Sequence, residues 1–107
     1  MDPPRLDRGD FSLLLLGLLS DRAMYGYELL SELRTRSAAV IDLPEGTVYP
    51  GLRRLERDQL IGGHWVDIAG GPRRRYYALT PKGERALAEG RSAWRRFAAA
   101  ADGMLGR

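Results

Sequence analysis

Hydrophobic residues recur at helical spacing in four stretches of this 107-residue chain, with two short strand-like stretches between the third and the fourth. The first stretch follows Asp10, a residue type that caps helix N-termini, and predicts a helix through about Ser20. Because this helix is apolar on nearly all sides, it must be covered on more than one side. We expect one face to pack inside the domain and the rest to contact a partner subunit. Residues 1–9 are polar, contain Pro3-Pro4, and are expected to form a flexible N-terminal arm.

A second amphipathic helix is predicted from about Tyr25 to Arg36. Its apolar stripe consists of leucines that recur at helical spacing, namely Leu29, Leu30 and Leu33. Residues 37–44 then form a connection that ends in a proline, before the third helix begins.

The third helix has an apolar stripe at positions i, i+4 and i+7, formed by Val48, Leu52 and Leu55. Pro50 falls on the opposite side of the helix, and proline would break a helix interior. It is tolerated in the first turn, where amides lack an intrahelical partner, so we expect the helix to begin near Gly46 or Thr47. The side that carries Pro50 also carries the arginines Arg53, Arg54 and Arg57.

Two short strands are predicted next, over about residues 64–68 and 75–79 (His64 to Ile68 and Arg75 to Leu79). The segment between them, 69–74, is rich in glycine and proline and suits a hairpin turn. Thr80 is then expected to cap a last helix, with Pro81 at its first position and its end near Leu105. This helix carries a coiled-coil-like seam, formed by Leu87, Trp94, Phe97, Ala101 and Met104.

The order of elements predicts the fold class: mainly α with a small antiparallel β hairpin (α+β). We interpret residues 10–80 as a winged helix-turn-helix domain and residues 81–107 as an additional C-terminal dimerisation helix. A single terminal helix with such a seam has little to pack against in its own small domain. Pairing with another chain is therefore expected.

The chain has a net charge of +3 and a pI of about 9.7, and sixteen of its seventeen cationic residues are arginine. Arginine suits phosphate and guanine recognition, although a compositional bias of the coding genome gives the same count. The chain has no cysteine and one histidine, His64, so we predict no metal site and no cofactor. The leucine run over residues 13–19 is too short to span a bilayer, and we expect a cytoplasmic protein without membrane association. No acid–base pair, nucleophile motif or phosphate-binding loop indicates an enzyme.

Three motifs of the chain, in the same order and at the same spacing, resemble the PadR family of transcriptional regulators: Tyr25–Leu29, Gly46–Glu56 and Gly71–Gly83. The resemblance extends over about residues 10–100, and the single helix after the wing is similar to the small subgroup of the family. It implies a homodimer that binds a partly palindromic DNA operator, usually as a repressor, with its first and last helices at the dimer interface. It also implies that some small relatives bind flat apolar or cationic compounds between subunits, against an aromatic residue at the position of Trp94.

Candidate DNA-binding residues lie on the third helix, on the wing and at two helix starts. They are Tyr25, Thr47, Tyr49, Pro50, Arg53, Arg54, Arg57, Arg73, Arg74, Arg75 and Lys82. The arginines of the third helix either neutralise phosphates and read guanine edges, or form a solvated face paired with Glu56 and Asp58. Tyr49 either contacts DNA or packs against the second helix. In the wing, Arg75 either joins its two neighbours on phosphate or points along the strand. Tyr25 either contacts phosphate or is an aromatic residue at the edge of the core. Lys82 either contacts phosphate or is a solvated lysine.

Candidate residues of the dimer interface, some of which would also contact an effector, lie on the first and last helices. They are Phe11, Leu14, Leu18, Leu87, Trp94, Phe97 and Ala101. Trp94 either stacks on a planar ligand or fills the dimer core. Three aromatic residues of the hairpin are interpreted as packing residues: Trp65, Tyr76 and Tyr77. The alternatives to a DNA-binding repressor are a module that senses or sequesters planar apolar compounds and a winged-helix module for protein interaction.

Overall fold

A computed structural model describes residues 8–106 of the chain. Over that range the chain forms four helices and three strands, which confirms the α+β winged-helix fold. In chain order these elements are α1 (Arg8–Leu19), β1 (Met24–Tyr25), α2 (Gly26–Arg36), α3 (Glu45–Arg57), β2 (Ile61–Val66), β3 (Arg74–Leu79) and α4 (Pro81–Leu105). The predicted extents of α2 and α4 are confirmed to within one residue.

The starts of α1 and α3 differ from the prediction. Helix α1 begins at Arg8, so Asp10 lies in its first turn and is not its N-cap. A carboxylate there still faces the positive end of the helix dipole. Residues 1–7 of the expected arm lie outside the described residues. Helix α3 begins at Glu45, so Pro50 lies in its second turn and has no amide to donate to the carbonyl of Gly46.

The hairpin strands belong to a three-stranded antiparallel sheet with the order β1-β3-β2. The two-residue strand β1 was not predicted; Met24 lies opposite Tyr77 on β3. The prediction for β2 was wrong by about three residues, because β2 begins at Ile61 rather than at His64. Gly62 and Gly63, which lie outside the predicted strand, are paired within the ladder, opposite Ala78 and Tyr77 of β3.

The core of the chain surrounds α1, which contacts α2, α3, β3 and α4. Six side chains are completely or almost completely buried: Leu15, Met24, Leu29, Val48, Leu52 and Ile61. Cover of α1 by a partner subunit stays a prediction; within one chain most of its apolar residues are already buried, and Leu13 and Leu14 are half-buried. Helix α4 supplies part of the cover within the chain through Leu87, which is 4% exposed. Its start is fixed as predicted by Thr80, whose Oγ1 accepts a hydrogen bond of 3.0 Å from the amide of Gly83.

Candidate nucleic-acid interface

Helix α3 has one face in the core and one face in solvent. Its apolar stripe is buried against α2, β2 and α1, with Val48 and Leu52 completely inaccessible. Arg53 and Arg57 project from the opposite face and are exposed, whereas Arg54 is half-buried at the edge. The apolar spacing of the sequence therefore fixes which arginines reach solvent.

The N-terminal end of α3 exposes Thr47, while Pro50 is half-buried. Tyr49 is 38% exposed and lies directly against the start of α2. A Cβ built on Gly26 would come within 2.5 Å of the Tyr49 ring, so a larger residue at this position would displace the ring. The ring therefore packs on α2, as the second interpretation requires, and DNA contact by its exposed part stays a prediction.

The arginines of α3 differ in their charge partners. Arg57 donates to the carboxylate of the adjacent Asp58 at 3.2 Å, as the solvated-face alternative requires. Within residues 8–106, neither Arg53 nor Arg54 has a hydrogen bond or an ion pair from its side chain. Glu56, their predicted partner, is instead paired with Arg75 of β3. Two uncompensated cations thus remain on α3.

The wing, defined here as the β2–β3 hairpin over residues 61–79, presents two exposed arginines near its tip. The guanidinium of Arg73 lies 5.2 Å from the ring centre of Trp65, and that of Arg74 lies 4.5 Å from the ring centre of Tyr25. Cation–π contacts of this kind orient an arginine without neutralising its charge. Trp65 is 55% exposed, so it is less a packing residue than a platform for Arg73.

Arg75 differs from its two neighbours, because it points from the strand towards α3. Its Nη2 atom donates to Glu56 Oε2 at 2.5 Å, and its guanidinium lies near the rings of Trp65 and Tyr77. The hydrogen bond with Glu56 is the main cause of a raised pKa of Arg75. Burial is the main cause of a raised pKa of Tyr77. This pairing across the chain was not apparent from the sequence, which only left open that Arg75 points along the strand.

The two remaining candidates lie at helix starts. The ring of Tyr25 is half-buried and meets Tyr76 edge-on at 5.3 Å, which matches the core-edge alternative. Lys82 is exposed, and its Nζ donates to the carbonyl of Asp58, the C-cap of α3, at 3.0 Å. A lysine at the C-terminal end of a helix satisfies an otherwise unpaired carbonyl. Lys82 therefore joins the start of α4 to the end of α3.

A second exposed surface of the chain is apolar and lies along α4. Trp94 and Phe97 are 53% and 64% exposed, and their ring centres are 5.8 Å apart. They border a groove of about 510 Å³ between α1 and α4, which Leu13 and Gly90 also line. Leu13 was not among the candidates, although it lies in the apolar run that predicted α1.

The predicted interface residues fall into two groups in the single chain. Three are buried in its own core, at 4–7% exposure: Phe11, Leu18 and Leu87. Leu14 and Ala101 are half-buried, and the two aromatic residues of α4 are exposed. Only this second group has surface left to offer to another chain or to a ligand.

Over residues 8–106, no helix is both long and apolar enough to cross a membrane. Within the same part of the chain, acidic residues, histidine and cysteine form no group of three that could hold a metal ion.

Comparisons with known proteins agree with the motifs. Residues 15–89 match the sequence profile of the transcriptional regulator PadR-like family. An uncharacterized protein from Lysinibacillus sphaericus is 32% identical over 82 residues, which cover 77% of this chain and 75% of that protein. The crystal structure of a PadR family transcription regulator from Clostridium difficile R20291 is 33% identical, with a TM-score of 0.80 over 88% of this chain and 96% of that one.

The crystal structure of Bacillus subtilis PadR in complex with operator DNA shares the fold, with a TM-score of 0.68 at 22% identity. That match covers 74% of this chain and 45% of the B. subtilis chain. By its profile match, which extends over more than half of its length, this chain belongs to the PadR-like family of transcriptional regulators.

Proposed function

We propose that this transcriptional regulator is a homodimer that binds a specific operator in double-stranded DNA and represses an adjacent operon. One observation carries the proposal: Arg53 and Arg54 on α3 and the exposed wing arginines Arg73 and Arg74 have no acidic partner within residues 8–106. Cations without internal partners are available to phosphate and to guanine edges. The operator complex of the B. subtilis protein, which shares this fold, is consistent with the proposal.

In the proposed complex α3 enters the major groove with its N-terminal end towards the base edges. Thr47 and the accessible edge of Tyr49 then face bases or the adjacent phosphates. Arg53 reads a guanine, while Arg54 and Arg57 neutralise phosphates. Arg57 must exchange Asp58 for phosphate to do so, which makes its contribution smaller than that of Arg53.

The wing contacts the DNA backbone beside the minor groove, where a negative potential attracts arginine. Arg73 and Arg74 are its contact residues, oriented by Trp65 and Tyr25. The three other candidates contribute by packing and by holding helix ends in place more than by direct contact with DNA. They are Pro50, Tyr25 and Lys82.

Dimerisation in this proposal uses α4 and the accessible part of α1. The aromatic residues of α4 would be covered by the same surface of a second copy. Two copies of α3 would then enter successive major grooves about 10 base pairs apart. Residues 10–80 would form the DNA-binding domain and residues 81–107 the dimerisation helix.

The test is a fluorescence anisotropy titration with DNA from upstream of the gene itself and of its neighbours. We expect one fragment to bind far more tightly than random DNA of the same length. We also expect the affinity to fall steeply with salt, because phosphate contacts release counterions. Equal affinity for random DNA at moderate salt, or an affinity without salt dependence, would count against operator binding.

A second candidate function is release of DNA by a planar apolar effector in the groove beside Trp94. The exposure of two adjacent aromatic rings at this groove favours it. An indole can stack on a planar ligand. We expect such a ligand to quench the Trp94 fluorescence of the Trp65→Phe variant. We also expect it to weaken operator binding by the wild-type protein. A diverse panel of planar compounds without any quenching would leave Trp94 a dimer-core residue.

A further inference from the structure

The wing and the recognition helix α3 are joined by one ion pair. Arg75 of β3 and Glu56 of α3 are separated by 19 positions, and their side chains are 29% and 33% exposed. The pair is therefore shielded more than the other salt bridges of the described residues, in each of which at least one side chain is 44% or more exposed. Tyr77 and Trp65 flank the guanidinium on the same side of the sheet.

Strand β2 has a glycine at the point where this guanidinium lies. A Cβ built on Gly63 would come within 2.7 Å of the Nε, Cζ and Nη2 atoms of Arg75. A Cβ built on the preceding Gly62 would meet no atom within 4 Å. Glycine is unfavourable in a strand interior and often marks a close approach by another group. Gly63 thus leaves the space through which Arg75 reaches Glu56.

We infer that Arg75 is a positioning residue, whose ion pair with Glu56 across Gly63 holds the wing at a fixed angle to α3. This inference rests on the proposed function, because the angle matters only if α3 and the wing bind one DNA duplex. Arg73 and Arg74 lie beyond Arg75 on the same hairpin, so a change of angle at Arg75 moves both of them. Holding two contact surfaces in register lowers the entropic cost of binding.

The competing role for Arg75 is direct contact with phosphate, and the two roles predict opposite signs for Glu56→Gln. If Arg75 binds phosphate, removing the nearby carboxylate strengthens DNA binding, since one repulsive charge is removed. If Arg75 positions the wing, the same substitution weakens binding. Gly63→Ala adds a further distinction, because it displaces the guanidinium without changing any charge. Gly62→Ala is its matched control.

The experiment measures the affinity for the DNA fragment that the wild-type protein binds, at several salt concentrations. We expect Glu56→Gln, Arg75→Gln and Gly63→Ala each to weaken binding by about threefold to tenfold, in the lower part of the range of coupling between contacting residues. The double variant Glu56→Gln/Arg75→Gln should be no weaker than either single variant, and Gly62→Ala should match the wild type. The salt dependence should stay unchanged in Arg75→Gln. Tighter binding by Glu56→Gln, or a salt slope reduced by about 1.8 for the two copies of Arg75 in a dimer, would overturn the inference.

A second measurement needs no DNA. Protein labelled with 5-fluorotryptophan should give two fluorine resonances, of which that of Trp65 is identified by its loss in Trp65→Phe. We expect Glu56→Gln and Gly63→Ala to shift the Trp65 resonance, because Arg75 leaves its ring, and Gly62→Ala to leave it in place. A Trp65 resonance that neither variant moves would overturn the inference. If the wild type binds no specific fragment, the proposed function fails separately, and this measurement still decides whether the ion pair with Glu56 holds Arg75 against Trp65 of the wing.

Discussion

The chain has two exposed surfaces of opposite chemistry, one on α3 with the wing and one on the C-terminal half of α4. On α3 an exposed arginine, Arg53, directly follows a leucine that is completely buried. On α4 the exposed residues are large and apolar, with Phe97 at 64% and Met104 at 85%. A cationic surface without internal partners suits a polyanion, whereas exposed aromatic residues suit an apolar partner. The comparison indicates two different partners for one small chain.

Burial along α4 shows how local this difference is. Leu87 in its first half is 4% exposed, whereas Trp94, two turns later on the same seam, is 53% exposed. One helix therefore belongs to the core of its own chain at its start and is only partly covered further along. A continuous seam that is only partly covered within the chain is the pattern that a second copy would complete.

The largest expected effect is the loss of the proposed dimer when a charge is placed on the apolar surface of α4. Phe97→Asp should raise the dimer dissociation constant by about a thousandfold, or ~4 kcal/mol, as expected for an aromatic residue at the centre of an interface. Operator affinity should fall with it, because a monomer presents one α3 only. Sedimentation velocity and DNA titration measure the two effects.

The control for this substitution is Ala99→Asp. Ala99 is exposed and lies about 200° around the helix from Phe97, on the side away from the seam. It should leave the sedimentation coefficient unchanged. If both variants stay dimeric, the apolar surface of α4 is not the interface.

The next effect concerns the cationic surface of α3. Arg53→Ala should weaken specific binding by ~1–3 kcal/mol and relax the preference at one base pair of each half-site, if Arg53 pairs with guanine. Titration of the operator and of fragments mutated at single positions measures both quantities. The dimer should persist, since Arg53 lies on the other exposed surface.

Arg95→Ala is a matched control, because Arg95 is also exposed but lies on the second half of α4, one turn before Ala99 and on the side away from the seam. It should bind DNA as the wild type does. Equally weakened binding in both variants would mean that overall charge, rather than the placement of Arg53, governs affinity.

A smaller effect is expected at the wing. Arg73→Ala and Arg74→Ala should each weaken binding by ~1–2 kcal/mol, similarly for operator and random DNA, because an arginine on phosphate reads no sequence. The salt slope should fall by about 1 for each phosphate that the variant no longer neutralises. Weaker binding of the operator alone, with random DNA unaffected, would instead assign base reading to the wing.

The sequence predicted the elements whose signal is local. The cap at Thr80 and the seam that follows predicted α4 to its last residue, and the apolar stripe of α3 predicted that Arg53 and Arg57 face solvent but not that Arg54 is half-buried. The two exposed surfaces were therefore visible in the pattern of residues. The contacts that residues beside these surfaces make with distant parts of the chain were not visible.

What the sequence missed depends on contacts between distant segments. Strand β1 has two residues, too few for any alternation, and exists only through its pairing with β3. The start of β2 was missed because its glycines lower strand propensity, while Gly63 leaves the space that the Arg75 guanidinium occupies. The ion pair of Arg75 and Glu56 was missed for the same reason, since each residue alone is an ordinary surface charge in the sequence.

The smallest expected effect tests whether the end of α4 is helical. Gly103 lies inside α4, and a Cβ on it would meet no atom within 4 Å. Gly103→Ala should therefore raise the free energy of unfolding by ~0.5–1 kcal/mol, because alanine loses less backbone entropy in a helix. Gly106, three residues later, is the C-cap with a φ of +75°, and Gly106→Ala should lower stability by about 1 kcal/mol. Urea unfolding of both variants, at protein concentrations above and below the dissociation constant of the proposed dimer, measures these two opposite changes in the free energy of unfolding. If the two opposite effects appear only at high protein concentration, the second half of α4 becomes helical through pairing. If they persist in the monomer, this half is already helical there, and its apolar surface is formed before a partner binds.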